Sequence, residues 1–384
     1  MHHALRMMVT DAWVRPGGLI RRLPGATASR LAERFHGGLE TAEVKDFTAE
    51  LLQRELSWRL PRRSGWDLLT ARNEWFQQSA AEALGAFTSG PSEPIVLFAH
   101  SYSARLAFRV AKQRGWRTVL GQIDPGPEHF AVVRRLSDQS PQYGVAPSAP
   151  PPGYFKHWQE ECALADRIIV NSEWARESVI RAGVDPGKVG VVPIAYEPEH
   201  QSGELVPHAY PDRFTPERPL RVLFVGSVSV AKGAASLLES LSLLEDVPIR
   251  LRLVGEVAMT VPSPFLNHPA IEWAGPVSRS DVMRHYRDSD VLVFPSHSDG
   301  FGMTQVEAQV RGLPVVASLN CGQVVDDGVT GIVIPEVTPH AIAAALRQVA
   351  ARPEMLRRYS GNALSAPRFE VDGMGAALLN LEPG

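Results

Sequence analysis

PSHSDGFGMTQVEAQVRGLPVVASLN, residues 295–320, follows the apolar run Val291 to Phe294 and sets Asp299 and Glu307, with seven residues between them, on either side of a glycine-rich turn and a helix start. The apolar run reads as a buried parallel strand. Gly300 and Gly302 make a turn where backbone can approach a ligand, and the pattern from Thr304 onward predicts a helix. Amides at that helix start point at whatever lies above the strand. A phosphate or sugar oxygen there meets N–H donors and the positive end of the helix dipole, while the carboxylates accept hydrogen bonds from hydroxyls on either side. Hydroxyls flanking a phosphate are the chemistry of a nucleotide sugar.

Outward from this stretch the second half alternates strand and helix. Strands are expected at Leu220 to Val225, Ile249 to Val254, Pro314 to Ala317 and Ile332 to Ile334, with helices at Ala234 to Leu244 and Ser280 to Arg287. Thr338 before Pro339 marks the N-cap of a helix reaching about Ala351. The first half repeats the rhythm with strands at Leu5 to Val9, Ile95 to Phe98, Thr118 to Ile123 and Arg167 to Val170, and helices near Ala104 to Lys112 and Glu173 to Ala182. Such alternation implies α/β domains with parallel sheets covered on both faces. At 384 residues the chain is long enough for two of them. The aperiodic stretch Tyr196 to Pro219 reads as the linker between them. The proline-rich stretch Val145 to Gly153 reads as an exposed loop or spacer.

Composition narrows the function classes. With 44% hydrophobic and 21% charged residues and a net charge of −3, the chain reads as globular and cytoplasmic, and it lacks the basic balance of a general nucleic-acid binder. Arg54, Arg59, Arg62 and Arg63, with Trp58 and Trp66 interleaved, fit either a solvated face or peripheral contact with anionic headgroups. Cys162 and Cys321 have neither disulfide-framework nor metal-ligand spacing.

The segment Asp299-Gly300-Phe301-Gly302, with seven residues between the first acid and Glu307, resembles the Glu-x7-Glu signature of retaining glycosyltransferases of family 4, with Asp299 one methylene shorter than the usual Glu. The resemblance implies the GT-B fold: two Rossmann-like domains with parallel sheets facing an interdomain cleft, divided as 1–205 on the acceptor side and 206–359 on the donor side, the tail 360–384 packing back on the first. It implies a nucleotide-sugar co-substrate, a UDP-, GDP- or ADP-sugar, with no further cofactor and no essential metal. The acceptor would be a glycan, a lipid-linked molecule or a small molecule, and transfer would retain the anomeric configuration. By the same resemblance Asp299 holds sugar hydroxyls and Glu307 the ribose, while the amides of Gly300, Phe301, Gly302, Met303 and Thr304 meet sugar and diphosphate. Gly226, Lys232 and Gly233 resemble the family's phosphate element, with Ser227 where arginine is common. There the Lys232 ammonium neutralises diphosphate charge. Gly255-Glu256 resembles a donor-contacting turn, and Val277 lies where relatives hold the base.

The first half carries weaker signals. His100 at a strand end and Gly17-Gly18 after the first strand are expected to face the cleft. A second histidine that many relatives carry near Ile123-Asp124 is missing, and Asp124 or His129 would take its space. Asn171-Ser172-Glu173 reads equally as a helix cap and a substrate contact. Two alternatives stay open on the residues alone: a noncatalytic nucleotide-sugar binder of the same fold, and a hydrolase in which Ser101, in Ala99-His100-Ser101-Tyr102-Ser103, imitates a nucleophile elbow without its flanking glycines. An epimerase or a phosphorylase of the same architecture is a further relative, although no lysine motif for pyridoxal phosphate is evident.

Overall fold

The computed structural model describes residues 5–13, 42–59, 63–88, 94–144, 149–196, 208–365 and 369–380. Strands are numbered in chain order: β1 Met7–Thr10, β2 Glu43–Asp46, β3 Val96–His100, β4 Arg117–Gly121, β5 Arg167–Val170, β6 Val189–Val191, β7 Leu220–Val225, β8 Ile249–Val254, β9 Ile271–Gly275, β10 Val291–Phe294, β11 Val315–Ser318 and β12 Gly331–Ile334. They form a two-stranded sheet β1-β2, a four-stranded sheet β3-β4-β5-β6 and a six-stranded sheet β12-β11-β10-β7-β8-β9. Two compact units result, one of Met1–Gly121 with Pro150–Ile168, the other of Gln122–Ala149 with Ile169–Gly384.

In the second unit every pairing of the six-stranded sheet is parallel. β10 sits between β7 and β11 with all four of its residues buried. Covering a parallel sheet on both faces leaves no polar side to a central strand, so its sequence runs continuously apolar. The helix Ala234–Ser240 and the helix Pro339–Ala351 pack on one face, where Leu237, Leu238, Ile342 and Leu346 join Leu220, Val222 and Phe224 in one core. On the other face Tyr286 packs with Leu223, Leu292, Phe294 and Ala308. The order β12-β11-β10-β7-β8-β9 puts the reversal of winding between β7 and β10. Their carboxyl ends form the crevice where open α/β sheets bind ligands.

The stretch expected as a linker is partly structural. Tyr210 and Phe214 lie in the core of the second unit. Arg218 forks onto both oxygens of buried Asp290 at 2.7 Å, and Arg221 reaches the same carboxylate at 2.9 Å. Burial pushes the Asp290 carboxyl up, and the two guanidiniums outweigh it, holding the group below the usual carboxylate range. A polar, proline-containing segment thus docks through two aromatic rings and one cation, a pattern with no periodicity to read. Thr338 caps its helix as expected, accepting from the Ala341 amide.

In the first unit, β3 is an edge strand whose residues alternate exposed and half-buried, and Leu97 joins a core of Leu84, Ala107, Ala111 and Trp116. The helices Thr48–Arg59 and Gly65–Ala86, absent from the sequence reading, pack around Trp58 and Trp75. Both have weakly segregated apolar faces, which is why periodicity did not reveal them.

Candidate active site

The crevice at the ends of β7 and β10 holds a cavity of about 330 Å³. Phe224 and Val225 line it from β7 and Gly226 from just beyond, Phe294 from β10 and Asp299 from the loop after it, and Gly302, Met303 and Thr304 from the turn that opens the helix Met303–Gln309. Lys232 projects into it from the loop after β7, and Ile123, Asn171 and Ile194 close another wall. All belong to the second unit.

Two glycines hold the loops in place. Gly233, at φ 72°, sits so close to the β10 loop that a Cβ would lie 1.9 Å from the Pro295 carbonyl oxygen. Gly302, at φ 85°, leaves no room for a Cβ beside the Phe294 ring, 2.7 Å away. Both positions combine a left-handed backbone with close approach, which no side chain tolerates.

Inside the cavity the Lys232 ammonium is paired with the Asp299 carboxylate and lies 5.9 Å from the centre of the Phe294 ring. Asp299 also accepts from the Phe301 amide at 3.3 Å, and its own amide donates to the Asn320 carbonyl at 2.9 Å. Ser172 is both cap and brace: its hydroxyl accepts from the Ala175 amide and donates to the Gly300 carbonyl at 2.6 Å. The cap half of the Asn171-Ser172 reading therefore falls to Ser172. Asn171 is 7% exposed and its Oδ1 has no hydrogen-bond partner among the described residues; the same holds for Thr304 Oγ1 and His129 Nδ1. Burial lowers the His129 pKa. Asp124, Asp299 and a hydrogen bond to the Ser298 backbone raise it, and Lys232 lowers it further. The net lowering leaves a neutral imidazole at pH 7.

Glu307 does not line the cavity. One turn further along the helix it accepts from the buried Tyr286 hydroxyl at 2.8 Å, and Arg311 lies 5.8 Å from the Tyr286 ring centre while donating to the Glu307 carbonyl. Among the other residues singled out, Gly255 packs against the Gly226 backbone. Ser227 and Glu256 are exposed, and Val277 lies half-buried beside the Tyr286 core. The Asp124 carboxylate accepts from the Gln122 side chain and the Gly126 amide, shaping the turn before His129. Gly17 and Gly18 lie outside the described residues. His100 belongs to the first unit, exposed, edge-on to Phe98 at 5.3 Å.

The Ser101 turn has a different occupant. The buried Glu161 carboxylate accepts from the amides of Tyr102, Ala104 and Arg105 at 2.7, 2.9 and 3.1 Å. Tyr102, at φ 70°, carries the left-handed backbone that an elbow nucleophile would carry. The turn's donors are already committed to a carboxylate. Within the basic stretch, Arg54 donates to Glu50 at 2.8 Å and lies over Trp75, and Trp58 is 8% exposed, while Arg62 lies outside the described residues. No described helix is long and apolar enough to cross a membrane.

The parallel sheets and the crevice at the β7–β10 reversal define a GT-B protein of the α/β class. Solved structures agree: HepE of Anabaena in complex with UDP-glucose has a TM-score of 0.59 over 98% of this chain and 99% of its own, at 17% identity. Sucrose-phosphate synthase from Thermosynechococcus elongatus has a TM-score of 0.56 over 80% and 77%, at 18% identity. Residues 211–365 match the family described as glycosyl transferases group 1, and the chain belongs to that family. Among its relatives are D-inositol 3-phosphate glycosyltransferases of Kineococcus radiotolerans, 30% identical over 69% of this chain and 66% of the relative, and of Thermobifida fusca, 32% identical over the same shares. The one from Geodermatophilus obscurus is 33% identical over 57% of this chain and 53% of its own length. The chain thus spans between about half and two thirds of the length of these relatives.

Proposed function

We propose that this protein is a glycosyltransferase that moves a sugar from a nucleotide-sugar donor to a hydroxylated acceptor with retention of anomeric configuration. One observation carries the reading: a single cavity at the β7–β10 reversal joins a cation, Lys232, to a carboxylate, Asp299, beside the backbone turn at Gly302. Breaking the anomeric C–O bond leaves negative charge on the diphosphate and positive charge on the sugar. A preorganised cation at the phosphate lowers that barrier. In the proposal Lys232 takes the diphosphate and Asp299 the sugar hydroxyls, so the donor takes over the ammonium that Asp299 holds in its absence. Gly226 and the Gly300 to Thr304 backbone approach the donor, and Glu307 takes the ribose. Val277 and Glu256 mark the edge where the base would lie. Neither carboxylate is assigned as a nucleophile, because both serve the donor's hydroxyls.

Family membership supports transfer, and the complexes of HepE with UDP and with UDP-glucose support a nucleotide-sugar donor. The relatives' name, D-inositol 3-phosphate glycosyltransferase, makes a phosphorylated cyclitol the first acceptor to assay. We further propose that 1–205 serves the acceptor with His100, that 206–359 serves the donor, and that the 360–384 tail returns to the first domain. The setting would be cytoplasmic and the reaction independent of divalent metal. Any peripheral membrane contact would fall to exposed Arg63 and half-buried Trp66.

Incubation with UDP-, GDP- and ADP-sugars and inositol phosphate, with and without EDTA, tests the reading. Nucleoside diphosphate release together with a product of retained anomeric configuration is expected. Donors that neither bind nor turn over would refute it.

A further inference from the structure

The helix Met303–Gln309, which sets Thr304 on the cavity wall and Glu307 one turn beyond, is seven residues long. A helix that short does not hold itself in place, so its position is set by what packs on it. Two residues far from it in sequence do so. Phe301, Val306 and Val324 form a small buried cluster, and Tyr196 and Phe369 pack against it. The Phe369 ring stands edge-on to the Phe301 ring, with 5.5 Å between centres, and the Phe369 carbonyl accepts from the Tyr196 amide at 2.7 Å. Phe369 has φ 65°, a left-handed backbone that bulky residues rarely adopt and that surrounding contacts must hold.

This strap reaches the two carboxylates of the donor reading by separate routes. At one end Phe301 lines the cavity, its amide donates to Asp299 at 3.3 Å, and its carbonyl accepts from the Gly322 amide at 3.0 Å and the Gln305 side chain at 3.1 Å. The Phe301 ring has little slack, since a Cβ on Gly322 would lie 2.4 Å from it. At the other end the Tyr196 hydroxyl accepts from Arg311 at 3.2 Å. The second amino group of Arg311 donates to the Glu307 carbonyl at 2.6 Å, and its guanidinium lies over the ring of Tyr286, the phenol that donates to the Glu307 carboxylate. Edge-on aromatic contacts and charge-assisted hydrogen bonds fix orientation as well as distance.

We propose that Phe369 and Tyr196 are positioning residues for the donor: Phe369 holds the Phe301 ring, and with it the Asp299 side of the cavity, in the shape that takes the transferred sugar, and Tyr196 holds Arg311 and Glu307 for the ribose. Neither is among the residues lining the cavity, so each acts through another. The inference rests on the donor reading above and adds the C-terminal segment to the site.

Calorimetric titration of the whole protein with UDP, 2′-deoxy-UDP and UDP-glucose tests it, or with the GDP or ADP series if wild type binds that nucleoside diphosphate instead. F369G isolates the ring, because glycine takes the left-handed backbone freely. It should bind UDP-glucose about tenfold more weakly than wild type does and UDP within about twofold, the loss of one aromatic contact felt on the sugar side alone. Y196F should weaken UDP about threefold and leave 2′-deoxy-UDP unchanged. An F369G that binds both ligands as wild type does, or loses both alike, would overturn the proposal for Phe369. A Y196F that weakens both nucleotides equally, or neither, would overturn it for Tyr196. If F369G does not fold, F369L decides by the same comparison. Wild type that binds no nucleoside diphosphate would refute the donor reading itself, whereas wild-type binding that neither variant alters would refute this proposal alone.

Discussion

Two strand-to-helix turns in this protein look alike in sequence and are used in opposite ways. After β3, the run from His100 to Ala104 leads into a helix, and the buried Glu161 carboxylate fills it by taking three of its amides. After β10, the run from Asp299 to Met303 also leads into a helix, and beside it lies a cavity lined by a lysine, a carboxylate, Asn171 and Thr304. The first turn sits on an edge strand with alternating exposure, the second on a fully buried strand at the sheet's reversal. A turn rich in donors is a ligand site only where the fold leaves those donors uncommitted. Composition of the turn does not decide it; what packs above the turn does.

The largest effect should come from Lys232→Ala. Removing a preorganised cation should lower kcat/KM for the sugar nucleotide by about 10²–10³-fold with little change in melting temperature. A variant with full turnover would make the β10 cavity as inert as the β3 turn. Next comes the occupied turn itself. Burial pushes the Glu161 carboxyl up to about 7, against three amide hydrogen bonds that pull it down. A folded-state pKa above the unfolded value of 4.5 means the folded chain keeps a proton that the unfolded chain releases. Stability from this group is complete below pH 4.5 and is lost as pH rises towards 7. The loss should be on the order of 3 kcal/mol relative to Glu161→Gln, read from urea unfolding at pH 5 and pH 7.5. Identical pH slopes for the two proteins would contradict that assignment.

Ser172→Ala removes the helix cap and the brace on the Gly300 carbonyl together. It should cost about 1–2 kcal/mol in unfolding free energy and weaken sugar-nucleotide binding, whereas a loss of stability with unchanged binding would show that the cavity does not depend on the brace. The smallest effect concerns Tyr286→Phe, which frees the Glu307 carboxylate from its phenol partner. Affinity for UDP should fall about fivefold while 2′-deoxy-UDP changes little, one hydrogen bond's worth. An equal fall for both nucleotides would detach Glu307 from the ribose.

Much of the second unit was legible. Val291 to Phe294 and Leu220 to Val225 are apolar because both faces are covered, and a strand buried on two sides announces itself without context. Asp299, Gly302 and Lys232 stood out for the same reason: short-range spacing of glycines and charges is written along the chain. Asn171 was visible only as half of a cap-or-contact pair, because nothing local says that Ser172 takes the cap and leaves the neighbouring amide to the cavity. Glu161 carried no signal at all. Its partners lie 56 to 59 residues away, in a turn that looked ready for a nucleophile.

Local pattern by itself determined the alternating α/β architecture, the strand ends where chemistry would sit and the residue types able to meet a phosphorylated sugar, since these depend on side-chain periodicity and backbone permissiveness along consecutive residues. Tertiary structure alone decided which turn stayed open. It placed Lys232 against Asp299, seated Glu307 under Tyr286 rather than on the cavity wall, docked Tyr210 and Phe214 into a core and closed the Ser101 turn with a carboxylate. Each of these depends on long-range packing, which brings together groups whose separation along the chain carries no trace of their meeting.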